Sequence, residues 1–271
     1  MAPRITRRVR AGVFGRDPGA FDRARLPYPR QVYEILSTRC GLRSGTVAFE
    51  IGPGTGIATR ELLRWGAHPV TLIEPDRRLA HFLEKSLGWR KRQVQILTER
   101  FERAVLPRAA FDLGVAASSF HWTSERLALR RVARALKPGG WWAAWNSLHG
   151  DPYRSGSFRH ALQPLYRELA GQRTRGEEVP RAFAARDRKR RIGAIKSVDR
   201  FDRVSRQDFH WRVKLDTARV SALWGTFSDV LVLPPKKRRW FLSELGRVVD
   251  EQFGGNVEIP VLTPLYTARR I

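Results

Sequence analysis

Between residues 43 and 146 short apolar runs alternate with stretches whose hydrophobic positions recur every three to four residues. The runs TVAFEIG, HPVTLIEPD, RQVQILTE, FDLGVAASSF and WWAAWNS contain strand-forming residues and mostly break at Gly, Pro or Ser, which predicts strands. FDLGVAASSF is apolar on both alternations, as expected of a strand covered on both faces. The intervening pieces predict helices. ATRELLRWG has apolar Leu62, Leu63 and Trp65 and is closed by Gly66, and RRLAHFLEKSLG is closed by Gly88. SERLALRRVARALKPGG sets Leu127, Val132 and Leu136 on one side and stops at Pro138-Gly139-Gly140. This alternation predicts an α/β fold: a Rossmann-like, doubly wound, mostly parallel sheet with helices on both faces.

The pattern weakens beyond it. Residues 150–210 are charged and irregular, and predict an added helical cap. After residue 210 come WRVKLDTARVSALWG, a long helical stretch KKRRWFLSELGRVVDEQFGG and a terminal strand VEIPVLTPLYTARR. Pro260 and Pro264 predict an edge or irregular strand there, because proline cannot donate to a ladder. The expected organisation is an N-terminal arm with lid helices over 1–42, a ligand-binding core over 43–148, a variable cap over 149–210 and a C-terminal lobe over 211–271 that completes the sheet.

Composition narrows the class. The 271 residues are 42% hydrophobic, enough for a sizeable core. The single cysteine, Cys40, rules out an internal disulfide and a cysteine-rich metal site, and no metal is expected. The basic start MAPRITRRVRAG lacks the apolar segment of a signal peptide, and no run approaches the ~18 apolar residues of a membrane span. A soluble cytoplasmic protein without membrane association is expected. The formal charge is +25, from 51 Lys and Arg against 26 Asp and Glu, which draws attention to polyanions. The excess is scattered, though, and arginine far outnumbers lysine, a bias that a GC-rich genome imposes by itself. The dense runs RDRKRR (Arg186 to Arg191) and PPKKRR (Pro234 to Arg239) have no interleaved aromatics and read as solvated faces. Contact with nucleic acid is expected to be nonspecific.

The chemistry concentrates in FEIGPGTG. Gly52, Gly54 and Gly56 alternate after a strand and before a helix, so the chain turns tightly and a ligand can approach its backbone. The spacing differs from the dinucleotide fingerprint G-x-G-x-x-G, since position 57 is Ile, and no Gly-Lys-Ser/Thr follows to make a P-loop. The helix N-terminus beyond the loop favours a negatively charged group. Glu74 ends the next strand, 18 residues after Gly56, where an acid hydrogen-bonds ribose hydroxyls. Glu50 lies under the loop, placed to hold its backbone or a ligand amino group.

FEIGPGTG resembles the first motif of class I S-adenosylmethionine-dependent methyltransferases, and LIEPD the second. FDLGVAASSFHWT with ALKPGGWWAAWN is similar to the fourth- and fifth-strand region of the type-11 methyltransferase family, in particular a branch with an FHW triplet. FDRARLPYP (Phe21 to Pro29) and the C-terminal LDT, GTFSDVLVLPPKKR and PVLTPLYTARR extend the likeness over roughly residues 14–271. The resemblance implies S-adenosylmethionine as cofactor, bound through Tyr28, Glu50, Gly52, Gly54, Thr55, Gly56, Glu74, Phe101 and Ser118. Phe101 follows the third strand, where the family holds adenine. Arg100 stands where many relatives have an acid, leaving backbone groups, Glu99 or Glu102 for the adenine amine. Asp112 is read as orienting the loop at its strand's start.

Methyl transfer from a sulfonium mainly requires alignment of nucleophile, methyl and sulfur, and alignment supplies ~7–11 kcal/mol. A base is needed only for a protonated nucleophile. SSFHW (Ser118 to Trp122) falls at the carboxyl end of the fourth strand, the ligand edge of open α/β sheets. His121 is the candidate catalytic base, with a structural hydrogen-bonding role as the alternative, and Trp122 the candidate substrate wall. The expected partner is a small-molecule methyl acceptor, at O, N or C. Two other functions remain open. One is RNA methylation, since FEIGPGTG also resembles rRNA adenine dimethylases; those enzymes hold the base with an Asn/Asp-x-Pro-Phe/Tyr motif where this chain has SSFH. RNA cytosine-C5 enzymes need a cysteine near that strand, and Cys40 lies far upstream. The other is a non-catalytic cofactor-binding module.

Overall fold

A computed structural model of the protein describes residues 12–154, 156–170 and 180–271. The basic run over residues 1–11 and residues 171–179 of the expected cap lie outside the described residues. In chain order the elements are α1 (Pro18–Ala24), α2 (Arg30–Thr38), β1 (Thr46–Ile51), α3 (Ile57–Arg64), β2 (Ala67–Ile73), α4 (Arg77–Leu87), β3 (Val94–Leu97), β4 (Phe111–Ala117), α5 (Glu125–Ala135), β5 (Leu136–Trp145) and β6 (Leu148–His149). They continue as α6 (Ser157–Ala170), α7 (Pro180–Lys196), β7 (Phe201–Asp216), α8 (Thr217–Trp224), α9 (Ser228–Leu231), α10 (Pro235–Phe253) and β8 (Asn256–Arg270). The chain forms two units that interleave along the sequence. One, the core unit, takes Pro27–Ser147, Arg188–Phe209 and Thr263–Ile271; the other takes the described residues within Met1–Leu26, Leu148–Asp187 and His210–Leu262.

The core unit is a sheet in the order β3-β2-β1-β4-β5-β8, with the first five strands parallel and β8 antiparallel to β5. Period-two alternation sends side chains to two separate cores. From β1, Ala48 joins Tyr33 and Leu36 of α2, Leu62 of α3 and Leu83 of α4; Phe49 and Ile51 join Leu129 and Val132 of α5 on the other face. Trp142 of β5 is fully buried against Phe49 and Phe120. Burying such a side chain contributes roughly 1.5–3 kcal/mol. Asp112 ties the start of β4 to both neighbours: Oδ2 accepts the Val47 amide at 3.0 Å and Oδ1 pairs with Lys137 Nζ at 2.7 Å.

Three expectations need correction. The helix before Pro138 stops at Ala135, and Leu136 already pairs with Phe111, so the Lys-Pro-Gly-Gly segment belongs to β5. Leu127 is exposed, while Ala128, Leu129, Val132 and Ala133 form the buried face; small alanines let α5 approach the sheet, which a pattern built on large residues misses. β8 is not an edge. It pairs with β5 through Leu265–Arg269, with β6 through Val261 and Leu262, and also with β7. Pro260 and Pro264 flank these paired stretches, so the missing N–H groups fall between ladders.

The other unit packs α6, α8, α9 and α10 around Trp224, Phe241, Leu245 and Val249, with Leu215 of β7 and Val257, Ile259 and Val261 of β8. Asp216 caps α8 by accepting the Arg219 amide at 2.7 Å, and α10 starts at Pro235 and ends at left-handed Gly254. Among the described residues no helix is long and apolar enough to cross a membrane.

Candidate cofactor and acceptor site

The turn from β1 into α3 brings the glycines and both acids together, all within the core unit. Its three glycines do different work. All have positive φ, but a Cβ on Gly52 would lie 2.7 Å from Ser119 Cβ, and one on Gly56 2.3 Å from Leu83 Cδ1. These two are glycine because the protein itself fills the space. A Cβ on Gly54 would meet no protein atom within 4 Å, so that backbone faces open space.

Glu74 is the loop's partner. Its Oε2 accepts the Gly54 amide at 3.0 Å and its Oε1 the Asp76 amide at 3.0 Å. Each oxygen keeps a second lone pair for a hydroxyl. Burial raises the Glu74 carboxyl to about 7, against the lowering by these two amides. Glu50 is completely buried on β1, with Oε2 accepting from Thr59 Oγ1 at 2.6 Å. Burial pushes it too up to about 7; the Thr59 hydrogen bond opposes the shift and the Glu74 charge adds to it.

Four buried polar atoms here have no hydrogen-bond partner among the described residues: Glu50 Oε1, Thr55 Oγ1, Tyr33 Oη and Trp145 Nε1. Buried polar groups are ordinarily paired, so a cluster of orphans marks groups that a ligand completes. Burial raises Tyr33 well above the usual phenol range, and Tyr28 and Glu50 act on it in the same direction. Tyr28 and Tyr33 both meet the Trp145 ring edge-on, at 5.7 and 6.1 Å. Tyr28 Oη donates to Ser118 Oγ at 2.9 Å, and Ser118 has φ +53°. A left-handed non-glycine residue costs about 1–3 kcal/mol and clusters at functional sites. Donors, acceptors and an open backbone fit a ligand with ribose hydroxyls and an amino-acid group.

His121 lies half-buried in a short 3₁₀ turn, Phe120–Trp122, with its ring 4.7 Å from that of Trp122. A small cleft of about 10 Å3 opens beside it, at the carboxyl ends of β4 and β5, lined by Ser119, Phe120, His121, Ala144, Trp145, Asn146, Arg191 and Tyr266. Trp122 is not among the lining residues, and Phe120 and Trp145 supply the apolar wall in its place. Phe101 is a correction: it is buried, stacked on Phe49 at 6.1 Å with Arg131 over its ring, and belongs to the sheet core. A phenyl group serves core and ligand equally well, so sequence position alone did not separate the two. Glu102 accepts the Ser124 amide at 3.0 Å at the start of α5, and Glu99 the Arg100 amide at 2.7 Å. Ser119, Trp145, Asn146, Arg191 and Tyr266 were missed. Trp145 and Asn146 were accessible through their place at a strand's carboxyl end, whereas Arg191 and Tyr266 reach the cleft only through the tertiary fold.

Fold and glycine loop together define the class: a Rossmann-like, mostly parallel α/β core with a glycine-rich ligand loop after its first strand. Residues 49–144 match a family described as a methyltransferase domain. The chain is 29% identical over 127 residues to an uncharacterized methyltransferase of Mycobacterium tuberculosis, a match covering 47% of this chain and 49% of that protein. It is 28% identical over 239 residues to a sterol 24-C-methyltransferase of Eremothecium gossypii, covering 84% and 59%. The chain thus spans about half the length of the mycobacterial relatives it matches. Among solved structures, a putative type II methyltransferase from Anaeromyxobacter dehalogenans has the same fold, with a TM-score of 0.62 at 19% identity over 90% of this chain and 97% of that one.

Proposed function

We propose that this protein is an S-adenosylmethionine-dependent methyltransferase acting on a small organic molecule. The observation that carries the reading is the joint built by Gly54 and Glu74: a backbone open on its ligand side, held by a buried carboxylate with spare acceptor capacity. In this reading Glu74 accepts the ribose hydroxyls, while Glu50, Thr55 and Tyr33 complete their hydrogen bonds on the amino-acid end. Gly52 and Gly56 shape the loop, and Tyr28 with Ser118 bounds the site from α2's approach. When bound, the cofactor supplies a methyl group on a positively charged sulfur. The protein's part is to align an acceptor in the cleft beside His121 and to exclude water. His121 takes a proton from the acceptor where that acceptor is an alcohol or amine, a step worth about 10²–10⁴-fold. The sterol-methylating relative supports an organic acceptor rather than a macromolecule.

Titration calorimetry with S-adenosylhomocysteine tests the reading. Micromolar binding is expected for the natural chain, and loss of at least about 100-fold for Gly54→Val, whose branched Cβ fills the ligand's space. Equal affinity in both refutes the assignment of the loop. Turnover is tested separately, with methyl-labelled cofactor and a small-metabolite extract; His121→Ala that retains cofactor affinity and loses about 100-fold in rate supports the base role. RNA methylation has one observation in its favour, the charge of +25. Label entering RNA at a single site in ~200 mM salt, where nonspecific contacts weaken, would replace the small-molecule reading with that one.

A further inference from the structure

The short 3₁₀ turn between α4 and β3, Gly88–Gln93, reads Gly-Trp-Arg-Lys-Arg-Gln and lies wholly within the core unit. It runs into β3, the strand at the end of the sheet. Val94 starts that strand and pairs with Val70, while Leu97 ends it and pairs with Ile73. The turn therefore stands at the amino end of the edge strand, and Glu74 with the glycine loop stands at the carboxyl ends. Trp89 is 71% exposed, the one strongly exposed aromatic among the described residues. The Arg90 guanidinium lies over its ring at 5.1 Å, and Lys91 and Arg92 are exposed beside it. None of these three cations pairs with an acid among the described residues. The denser basic runs differ: Arg190 pairs with Glu125, and Arg238 donates to the Gly225 carbonyl. An indole left in water gains nothing from the fold, and unpaired cations around it give the same spot a positive potential.

We propose that Trp89, Arg90, Lys91 and Arg92 form a docking surface for an anionic phospholipid membrane, with the indole seated at headgroup depth and the three cations against lipid phosphates. Tryptophan prefers the membrane–water interface, where its apolar ring and its N–H are both satisfied. Lysine and arginine beside it add attraction to an anionic leaflet. The absence of a spanning run bears on insertion only, and a surface contact needs no spanning helix. Single-stranded nucleic acid fits the turn less well. Its binding relies on successive aromatic rings along a basic groove, whereas this turn has a single ring, one face of which Arg90 already covers. Three cations and one indole make the contact reversible. Because the turn stands at the amino end of β3, docking leaves the carboxyl ends of the strands free, and the inference is independent of what the acceptor is.

Vesicle sedimentation with the full chain tests this, comparing mixed phosphatidylglycerol–phosphatidylcholine vesicles with vesicles of phosphatidylcholine alone, in about 150 mM salt to screen distant charges. The natural chain should bind the anionic vesicles about 100-fold tighter, as three cations near the surface allow. Replacing Arg90, Lys91 and Arg92 together by Gln should remove most of that preference, and Trp89→Ala should weaken binding severalfold. The matched control replaces Lys236, Lys237 and Arg239 of α10, also exposed, by Gln and should change little. All these positions lie at the surface, so an unchanged thermal midpoint is expected and shows that each variant is folded. The same variants are titrated with single-stranded oligouridylate. Absence of a preference for anionic vesicles overturns the proposal, as does an equal loss in the control triple, which would assign the effect to total charge. Trp89→Ala that weakens oligouridylate binding and leaves vesicle binding intact would replace the membrane with a nucleic acid.

Discussion

The core unit and the other unit bury their side chains by different routes. In the core unit, adjacent segments of the chain make adjacent layers: β1, β2 and β4 are each followed by a helix that packs on the sheet, α3, α4 and α5. Both units draw on three separated stretches, but the other unit's central residues Phe158, Trp224, Phe241 and Val261 come from four elements far apart in sequence. The chemistry divides the same way. Both acids with strongly raised carboxyls, Glu50 and Glu74, belong to the core, where burial outweighs pairing. In the other unit Glu258 is shifted downward by its hydrogen bond to Arg212. Buried carboxyls, unpartnered polar atoms and a left-handed serine sit together at the carboxyl ends of the core's strands.

Truncating the central tryptophans should separate the units most sharply. Trp142→Ala and Trp224→Ala are each expected to lose about 3–5 kcal/mol in denaturant unfolding. Only the first should weaken S-adenosylhomocysteine binding, because Trp142 packs on Phe49 of the core while Trp224 belongs to the other unit; the second should leave it within about threefold, as expected of sites with no shared partners. A loss of affinity in Trp224→Ala as large as in Trp142→Ala would break the distinction.

The pH dependence should follow from the raised carboxyls. Folded Glu50 and Glu74 hold protons that the unfolded chain releases from the ordinary value of 4.5 upward, so stability is greatest below that value and falls as pH rises to about 7. At 1.36 kcal/mol per unit the loss is about 3 kcal/mol per group at most. Glu50→Gln and Glu74→Gln should flatten the slope, and calorimetry across pH 5–8 should find cofactor affinity rising with pH in the natural chain, because the ionised Glu74 is the better acceptor. A stability curve rising from pH 4.5 to 7 that Glu74→Gln leaves unaltered would contradict this.

Backbone substitutions give smaller contrasts. A Cβ on Gly66, at φ +93°, would lie 2.7 Å from the Ser44 amide nitrogen, whereas one on Gly254 meets nothing within 4 Å. Thermal unfolding should show Gly66→Ala losing about 2–3 kcal/mol and Gly254→Ala about 1 kcal/mol. Helix caps should be the smallest and the same in both units: Asp76→Ala on α4 and Asp216→Ala on α8 each about 1 kcal/mol by denaturant titration. Unequal caps would show that context, rather than the local hydrogen bond, sets their worth.

The core's strands, their parallel alternation and the glycine turn were legible because each depends on local spacing: period two in β1, period 3.6 in α3 and α4, and a turn that needs left-handed backbone. The loop amide, expected from Glu50, is instead held by Glu74, while Glu50 accepts from Thr59. The same locality explains the failures. Whether Leu127 faced inward or outward on α5, and whether the Lys-Pro-Gly-Gly segment ended a helix or opened a strand, depended on neighbours that the sequence does not name.

What the sequence by itself determined is the strand–loop–helix at Gly52 to Gly56 and the acid that ends the neighbouring strand. Only the tertiary structure decided that Gly54 faces open space while Gly52 and Gly56 face Ser119 and Leu83, that Phe101 belongs to the core, and that Arg191 and Tyr266, 75 positions apart, share a cleft with His121. The physical reason is range. Turn conformation and periodicity are set within a few residues, while burial, desolvation and side-chain company are set by segments that meet only once the sheet has formed.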